Sequence, residues 1–134
     1  MQAHLRIARP VGNLAVSRAL YSQGLGLQVL GSFVDHAGFD GVMLGRAGMD
    51  YHLEFTQCTA HPVAPAPTAE DLLVFYLPNP LAWQAACANM ASAGFQTVTP
   101  LNPYWAQHGR SFADPDGYRV VLQQAPWRNL AATA

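Results

Sequence analysis

Lysine does not occur in this chain of 134 residues, and charge of either sign is scarce. Seven arginines, scattered from Arg6 to Arg128, stand against eight acidic residues, for a formal net charge of −1. With no basic run, the chain has no electrostatic footprint for nucleic acid or for an anionic membrane surface. Long apolar runs are missing too. The longest, Leu72 to Leu77, falls far short of the ~20 residues that a membrane-spanning helix needs. His4, Arg6 and Arg9 interrupt the first apolar stretch, which is not the pattern of a signal peptide. Cysteine is limited to Cys58 and Cys87, without metal-binding spacing. Two such thiols fit reduced packing residues of a cytoplasmic protein better than a disulfide. No serine or cysteine carries an activating motif, and no glycine-rich loop has phosphate-binding spacing.

What the chain does have is an internal repeat. The second half is a worn copy of the first, shifted by roughly 67 residues. Tyr51-His52-Leu53-Glu54 aligns with Tyr118-Arg119-Val120-Val121, Leu5-Arg6-Ile7-Ala8 with Asp71-Leu72-Leu73-Val74, Asn13 with Asn79, and Asp40-Gly41 with His108-Gly109. About half the residues are apolar, enough for one domain over residues 1–134 with a real core. The two copies disagree where chemistry would sit: Glu54 in the first is Val121 in the second.

Each copy reads as a βαβββ module, the first over residues 4–58 and the second over residues 71–124. In the first, Leu5 to Ala8 is a strand. Asn13 caps a helix over Leu14 to Ser22 that ends in Gly24 and Gly26. Gln28 to Val34, Gly41 to Leu44 and Tyr51 to Thr56 are strands joined by turn residues such as Asp35-His36-Ala37-Gly38. In the second, strands are expected over Leu72 to Leu77, Gln96 to Thr99, Arg110 to Ala113 and Tyr118 to Gln123. Asn79 with Pro80 opens a helix that runs to about Ala93 and stops at Gly94. Residues 59–70 are rich in proline and alanine and read as an extended linker; residues 125–134 form a tail that Trp127 tucks onto the body. The fold class is α+β: helices on one face of two mixed sheets, the opposite faces curving around a shared cavity.

These residues carry a resemblance. Asn13-Leu14 with Leu20-Tyr21, Gly24-Leu25-Gly26, Tyr51 to Phe55 and above all Asp114-Pro115-Asp116-Gly117-Tyr118 to Leu122 resemble the vicinal oxygen chelate superfamily. That group holds glyoxalase I, bleomycin-resistance proteins, fosfomycin-resistance enzymes and extradiol dioxygenases, and the likeness spans nearly the whole chain. It implies four metal-ligand positions, which fall here on Arg6, Glu54, Leu72 and Val121. Only Glu54 of the four has lone pairs for a divalent metal, and Arg6 would repel one. A Lewis-acid site needs about three protein ligands, so no cofactor is expected. The resemblance also implies a homodimer, in which some family members complete the site across the interface.

Arg6 and Glu54 should point to one cavity, either as an ion pair filling the metal's place or as a grip on a polar ligand. His52 shares the face of Glu54, and His4 that of Arg6. Together they give an off-pattern alternative site, His4, His52 and Glu54, for Zn, Ni, Mn or Fe. Tyr76 shares the face of Leu72, and Arg119 and Gln123 that of Val121. Tyr104, Trp105 and His108 lie in the loop before the penultimate strand, as a lid over the pocket or as core filler.

Three functions follow. The first is a metal-free protein that binds a small organic molecule through Arg6, His52, Glu54, Leu72, Tyr76, Tyr104, Trp105, His108, Arg119 and Val121. The second is a metal-dependent lyase, isomerase or dioxygenase using His4, His52 and Glu54, with Glu54 as ligand or catalytic base. The third is a non-catalytic interaction module with a filled cavity.

Overall fold

A computed structural model describes residues 1–133, so the last residue of the 125–134 tail lies outside the described residues. The first module runs β1 (Leu5–Pro10), α1 (Leu14–Leu25), β2 (Gln28–His36), β3 (Phe39–Gly45) and β4 (Tyr51–Cys58). The second runs β5 (Leu72–Tyr76), α2 (Pro80–Ala93), β6 (Gln96–Val98), α3 (Tyr104–Gln107), β7 (Gly109–Ala113) and β8 (Arg119–Gln123). The sheets are ordered β1-β4-β3-β2 and β5-β8-β7-β6, each with one parallel pair and otherwise antiparallel. This is the α+β fold of two βαβββ modules.

The repeat is exact at the level of pairing. Arg6 pairs with His52 as Leu72 pairs with Arg119, and Ala8 with Glu54 as Val74 with Val121. Gly41 pairs with Thr56 as Gly109 pairs with Gln123. Positions aligned by sequence are therefore positions aligned in space.

Local chemistry sets the helix ends. Asn13 Oδ1 accepts from Val16 N at 3.1 Å, and Asn79 Oδ1 from Ala82 N at 3.0 Å. Gly94 closes α2 at φ 114°. Helix α1 runs about a turn past Ser22, to a left-handed cap at Gly26. Gly24 thus lies inside the helix, where a Cβ would stand 2.7 Å from Phe95 Cε2. Its role is close packing rather than termination. One further correction concerns residues 104–107, which are helix α3 and not a loop. Asn102 Oδ1 accepts from Tyr104 N at 3.0 Å, an Asx turn that leads into α3, whose N-cap is Pro103.

Alternation along the strands separates two faces of each sheet. The inner faces, with α1 and α2, enclose one core that includes Tyr21, Leu44, Leu53, Phe55, Met90, Phe112, Val120 and Leu122. Trp83 closes it by donating from Nε1 to Leu122 O at 2.8 Å. Hydrogen bonds then clamp the modules together. Tyr21 on α1 donates to buried Asp114 at 2.8 Å, Asp116 accepts from Gly12 N, and Tyr118 donates to Pro10 O at 3.0 Å. Asp114 lies in the turn of the Asp-Pro-Asp-Gly segment, so the most specific sequence motif is also the clasp between modules. The outer faces carry the residues of functional interest.

Candidate functional site

On the outer face of the first sheet, β1 contributes Arg6 and Ala8, and β4 contributes His52, Glu54, Thr56 and Cys58. Arg6 is the hub. Its Nε donates to His52 Nε2 at 2.8 Å, and its Nη1 to Glu54 Oε2 at 3.0 Å. His52 Nδ1 lies 2.7 Å from His4 Nε2, with the two rings 4.9 Å apart.

The protonation states follow from donor counting. A guanidinium has no acceptor, so His52 Nε2 must offer its lone pair to Arg6. His52 is then neutral, carries its proton on Nδ1, and donates it to His4 Nε2. The direction agrees: desolvation first, then the proximity of Arg6 and of His4, pushes the His52 pKa down, against the pull of Glu54. The Arg6 side chain is 49% exposed and that of Glu54 13%. Nε and Nη1 each donate one of these bonds, and among the described residues Nη2 donates none.

This arrangement does not fit a metal. Arg6 occupies the space between His52 Nε2 and Glu54 Oε2, and holds the lone pairs that a metal would need. Among the described residues, no three His, Cys, Asp or Glu side chains are grouped so as to hold an ion. The alternative set His4, His52 and Glu54 is therefore brought together, but as a hydrogen-bonded relay around an arginine. Leu72 and Val121, at the two equivalent positions of the second module, offer no donor atom.

Below the Arg6 cluster the same face sinks into a hollow of about 290 Å³. It is lined by Ala8, Arg9, Pro10, Phe39, Thr56 and Cys58, with Val63 of the linker. Cys58 and Cys87 are both free thiols. Alternation outward from Arg6 and Glu54 places Ala8, Thr56 and Cys58 on this face; the sequence reading stopped at the charged residues and missed them.

The remaining candidates stand on the second sheet. Leu72, Tyr76, Arg119, Val121 and Gln123 share its outer face through the β5–β8 register. Val121 is fully buried, so it lines no open surface in this chain. Arg119 Nη1 donates to Thr99 O at 3.1 Å. Tyr76 meets the ring of Trp127 at 5.7 Å, and Trp127 itself stays 67% exposed. Tyr104 and Trp105 stack edge to face on α3 at 4.9 Å, and His108 caps that helix. Helix α3 packs beside β7. Ser111 Oγ and Gln123 Oε1 are buried on this face without a hydrogen-bond partner among the described residues.

Comparison with known proteins is consistent across sequence and structure. Residues 5–56 match the YycE-like N-terminal domain and residues 70–124 the YycE-like C-terminal domain. The chain is 44% identical over 123 residues to the uncharacterized protein YycE of Bacillus subtilis (strain 168), covering 92% of this chain and 88% of that one. A crystal structure of a YycE protein of unknown function from Bacillus subtilis superposes with a TM-score of 0.87 at 42% identity, over 95% of this chain and 93% of that one. The fosfomycin resistance protein FosX of Mesorhizobium loti gives 0.69 at 10% identity, over 90% of each chain. TnmS3, an antibiotic binding protein from Streptomyces sp. CB03234, gives 0.62 at 21% identity, over 94% and 97%. The last two likenesses are of fold.

Proposed function

We propose that this chain, which belongs to the YycE-like family, binds a small organic molecule on the outer face of its first module without a divalent metal. One observation carries this reading: Arg6 sits hydrogen-bonded between His52 and Glu54, a protein cation held in position beside an apolar hollow. A fixed guanidinium with a free Nη2 edge suits a carboxylate, phosphate or enolate-like oxygen. The hollow below suits an aliphatic or aromatic body. The antibiotic-binding protein of the same fold supports the reading as a precedent for sequestration.

The face is open to one side, and Arg6 is half-exposed. We therefore propose a homodimer whose second copy roofs the site, working in the cytoplasm, where Cys58 and Cys87 stay reduced. Tyr104, Trp105, His108, Leu72, Tyr76, Arg119 and Val121 enter the ligand's surroundings only through such a roof.

The deciding experiment loads untagged protein with Mn, Fe, Ni and Zn, desalts it, and measures metal by mass spectrometry beside a small-molecule binding screen. We expect no stoichiometric metal and at least one organic ligand whose binding weakens in Arg6→Gln. About one equivalent of metal per chain, lost in His52→Ala or Glu54→Ala, would show instead that Arg6 yields its place to an ion.

A further inference from the structure

Five of the 11 glycines adopt positive φ, where turns and helix ends need them. Gly31, Gly41 and Gly45 do not: they sit inside β2 and β3 with backbones any residue could take. A glycine in a strand interior weakens the strand, so what it supplies there is room. All three supply it on one face. Val42 and Leu44 of β3 point into the core, so Gly41, Met43 and Gly45 point outward. Gly31 pairs with Met43 and therefore shares that face.

Each glycine is met by one long apolar side chain from the neighbouring strand. A Cβ on Gly31 would stand 2.9 Å from Met43 Cε, and one on Gly45 would stand 2.9 Å from Leu30 Cδ1. A Cβ on Gly41 would run into the Phe33 ring. Leu30, Phe33 and Met43 thus lie flat along the sheet instead of standing off it. The lattice continues without a break: Gly45 lies against His52, His52 pairs with Arg6, and Met43 pairs with Glu54. Leu30 is 49% exposed, so this flattened apolar surface reaches solvent, and β4 with His52 and Glu54 lies between it and Arg6.

We propose that Leu30, Phe33 and Met43, laid over the three glycines, form a flat floor that takes a planar aromatic ring system, with an anionic substituent held by Arg6 at its edge. This inference rests on the small-molecule reading above and narrows it to a ligand class. A flat apolar floor rewards a rigid planar body, because stacking covers area without ordering rotamers. The free Nη2 edge of Arg6 supplies charge complementarity for an anion.

The test uses two probes of one ring skeleton, anilinonaphthalene sulfonate and its neutral analogue phenylnaphthylamine, titrated by fluorescence into the full chain. Far-UV circular dichroism and a cooperative melt confirm that each variant folds. Wild-type protein should saturate with both. Gly31→Val and Gly41→Val, which raise the floor, should weaken both probes by at least about tenfold. Arg6→Gln should weaken the sulfonate by about tenfold and leave the neutral probe unchanged.

Failure of the floor and failure of the broader reading are separable. If the valine variants fold and bind both probes as wild type does, the glycines serve strand packing alone and the floor is overturned. A loss of sulfonate binding in Arg6→Gln then still supports the broader reading. Saturation by neither probe overturns the floor as well. Should the valine variants not fold, Met43→Ala decides. It strips the side chain lying over Gly31, and should shift the affinity for both probes together by at least about threefold; unchanged affinity for both overturns the proposal.

Discussion

The two modules share a lattice and differ in what covers it. In the first, β2 and β3 are joined by a tight turn, with Ala37 and Gly38 at φ 52° and 85°, and the outer face stays open. In the second, residues 99–108 separate β6 from β7 and hold α3. There the outer face is roofed: Val121, Ser111 and Gln123 are buried, while their counterparts Glu54, Met43 and Thr56 are only partly so. Gly109 leaves the notch in which the Gln123 amide lies close to the Trp105 carbonyl. The tail adds Trp127 against Tyr76. Duplication thus produced one frame with an open, charged face and a closed, apolar one. The binding proposed above uses the first.

The largest test of that difference exchanges the two diverged residues. Val121→Glu would bring back the carboxylate of the first module but place it where no solvent reaches and where Arg119, on the same face, already donates to Thr99 O. A lone buried carboxylate is strongly destabilising, by about 3–5 kcal/mol. Glu54→Val removes one half of a partly exposed ion pair and should cost about 1 kcal/mol or less. Urea denaturation of both variants checks the contrast. Similar losses for the two would mean that the second face is not closed.

The frame itself gives the next effect. Asp114 is buried and accepts from Tyr21, from Tyr118 N and from Asp116 N, the last two at 3.0 and 2.9 Å. Burial, outweighing these bonds, pushes its pKa up. Asp114→Ala leaves the Tyr21 hydroxyl and two amides without partners and should cost about 2–3 kcal/mol. Asp114→Asn keeps an acceptor and removes the buried charge, so it should cost less than the alanine change. The sign of the pH dependence follows: a carboxyl with a raised folded pKa stabilises most below its unfolded value, and that contribution is lost as pH rises through the folded value. Asp114→Asn should therefore lose less stability than wild type between acid and neutral pH. Thermal melts over that range would read it, and identical profiles would remove Asp114 from the account.

These contrasts also show what a sequence carries. The strands, the helix caps and the equivalence of the two modules were legible because the repeat aligned Arg6 with Leu72 and Glu54 with Val121, and the structure pairs those positions alike. Helix α3 was not legible, because Tyr104–Gln107 spans a single turn and has no apolar period to read. Its only signal was Asn102-Pro103. The candidate site was half legible. Arg6, His52 and Glu54 were named as neighbours, yet the order of the bonds was not. Which atom of Arg6 reaches which partner depends on rotamers, not on spacing. The floor of glycines was invisible for a similar reason. In sequence, Gly31 falls inside the strand expected over Gln28 to Val34, Gly41 opens the next and Gly45 follows its end; only the register puts them on one face.

A smaller effect probes the roof. Gly109→Ala needs the space that Gln123 Oε1 and the Trp105 carbonyl now occupy. It should push α3 off β7 and cost about 1–2 kcal/mol. At the equivalent glycine of the open module the nearest atoms all belong to the Phe33 ring, which can swing aside, so Gly41→Ala should cost less. Amide exchange would report faster opening of residues 104–108 in Gly109→Ala, and unchanged exchange there would separate α3 from the roof.

The smallest change in stability belongs to Arg6→Gln, and it is the most informative about the open face. His52 titrates below its ordinary value because desolvation, Arg6 and His4 disfavour its proton. Such a histidine contributes stability above the ordinary histidine pKa, and that contribution is lost as pH falls from there through the lowered folded value. Replacing Arg6 by glutamine removes one repelling charge and leaves Glu54 attracting. The His52 pKa should rise toward its ordinary value, and the pH window of the loss should narrow. Overall stability at neutral pH should change by no more than about 0.5 kcal/mol, since the arginine is half-exposed. A titration of the imidazole ring protons by NMR reads the shift directly. A His52 pKa that stays put or falls further would mean that Arg6 does not hold the imidazole in the neutral form, and the second module's closed face would then have to be reconsidered as the site.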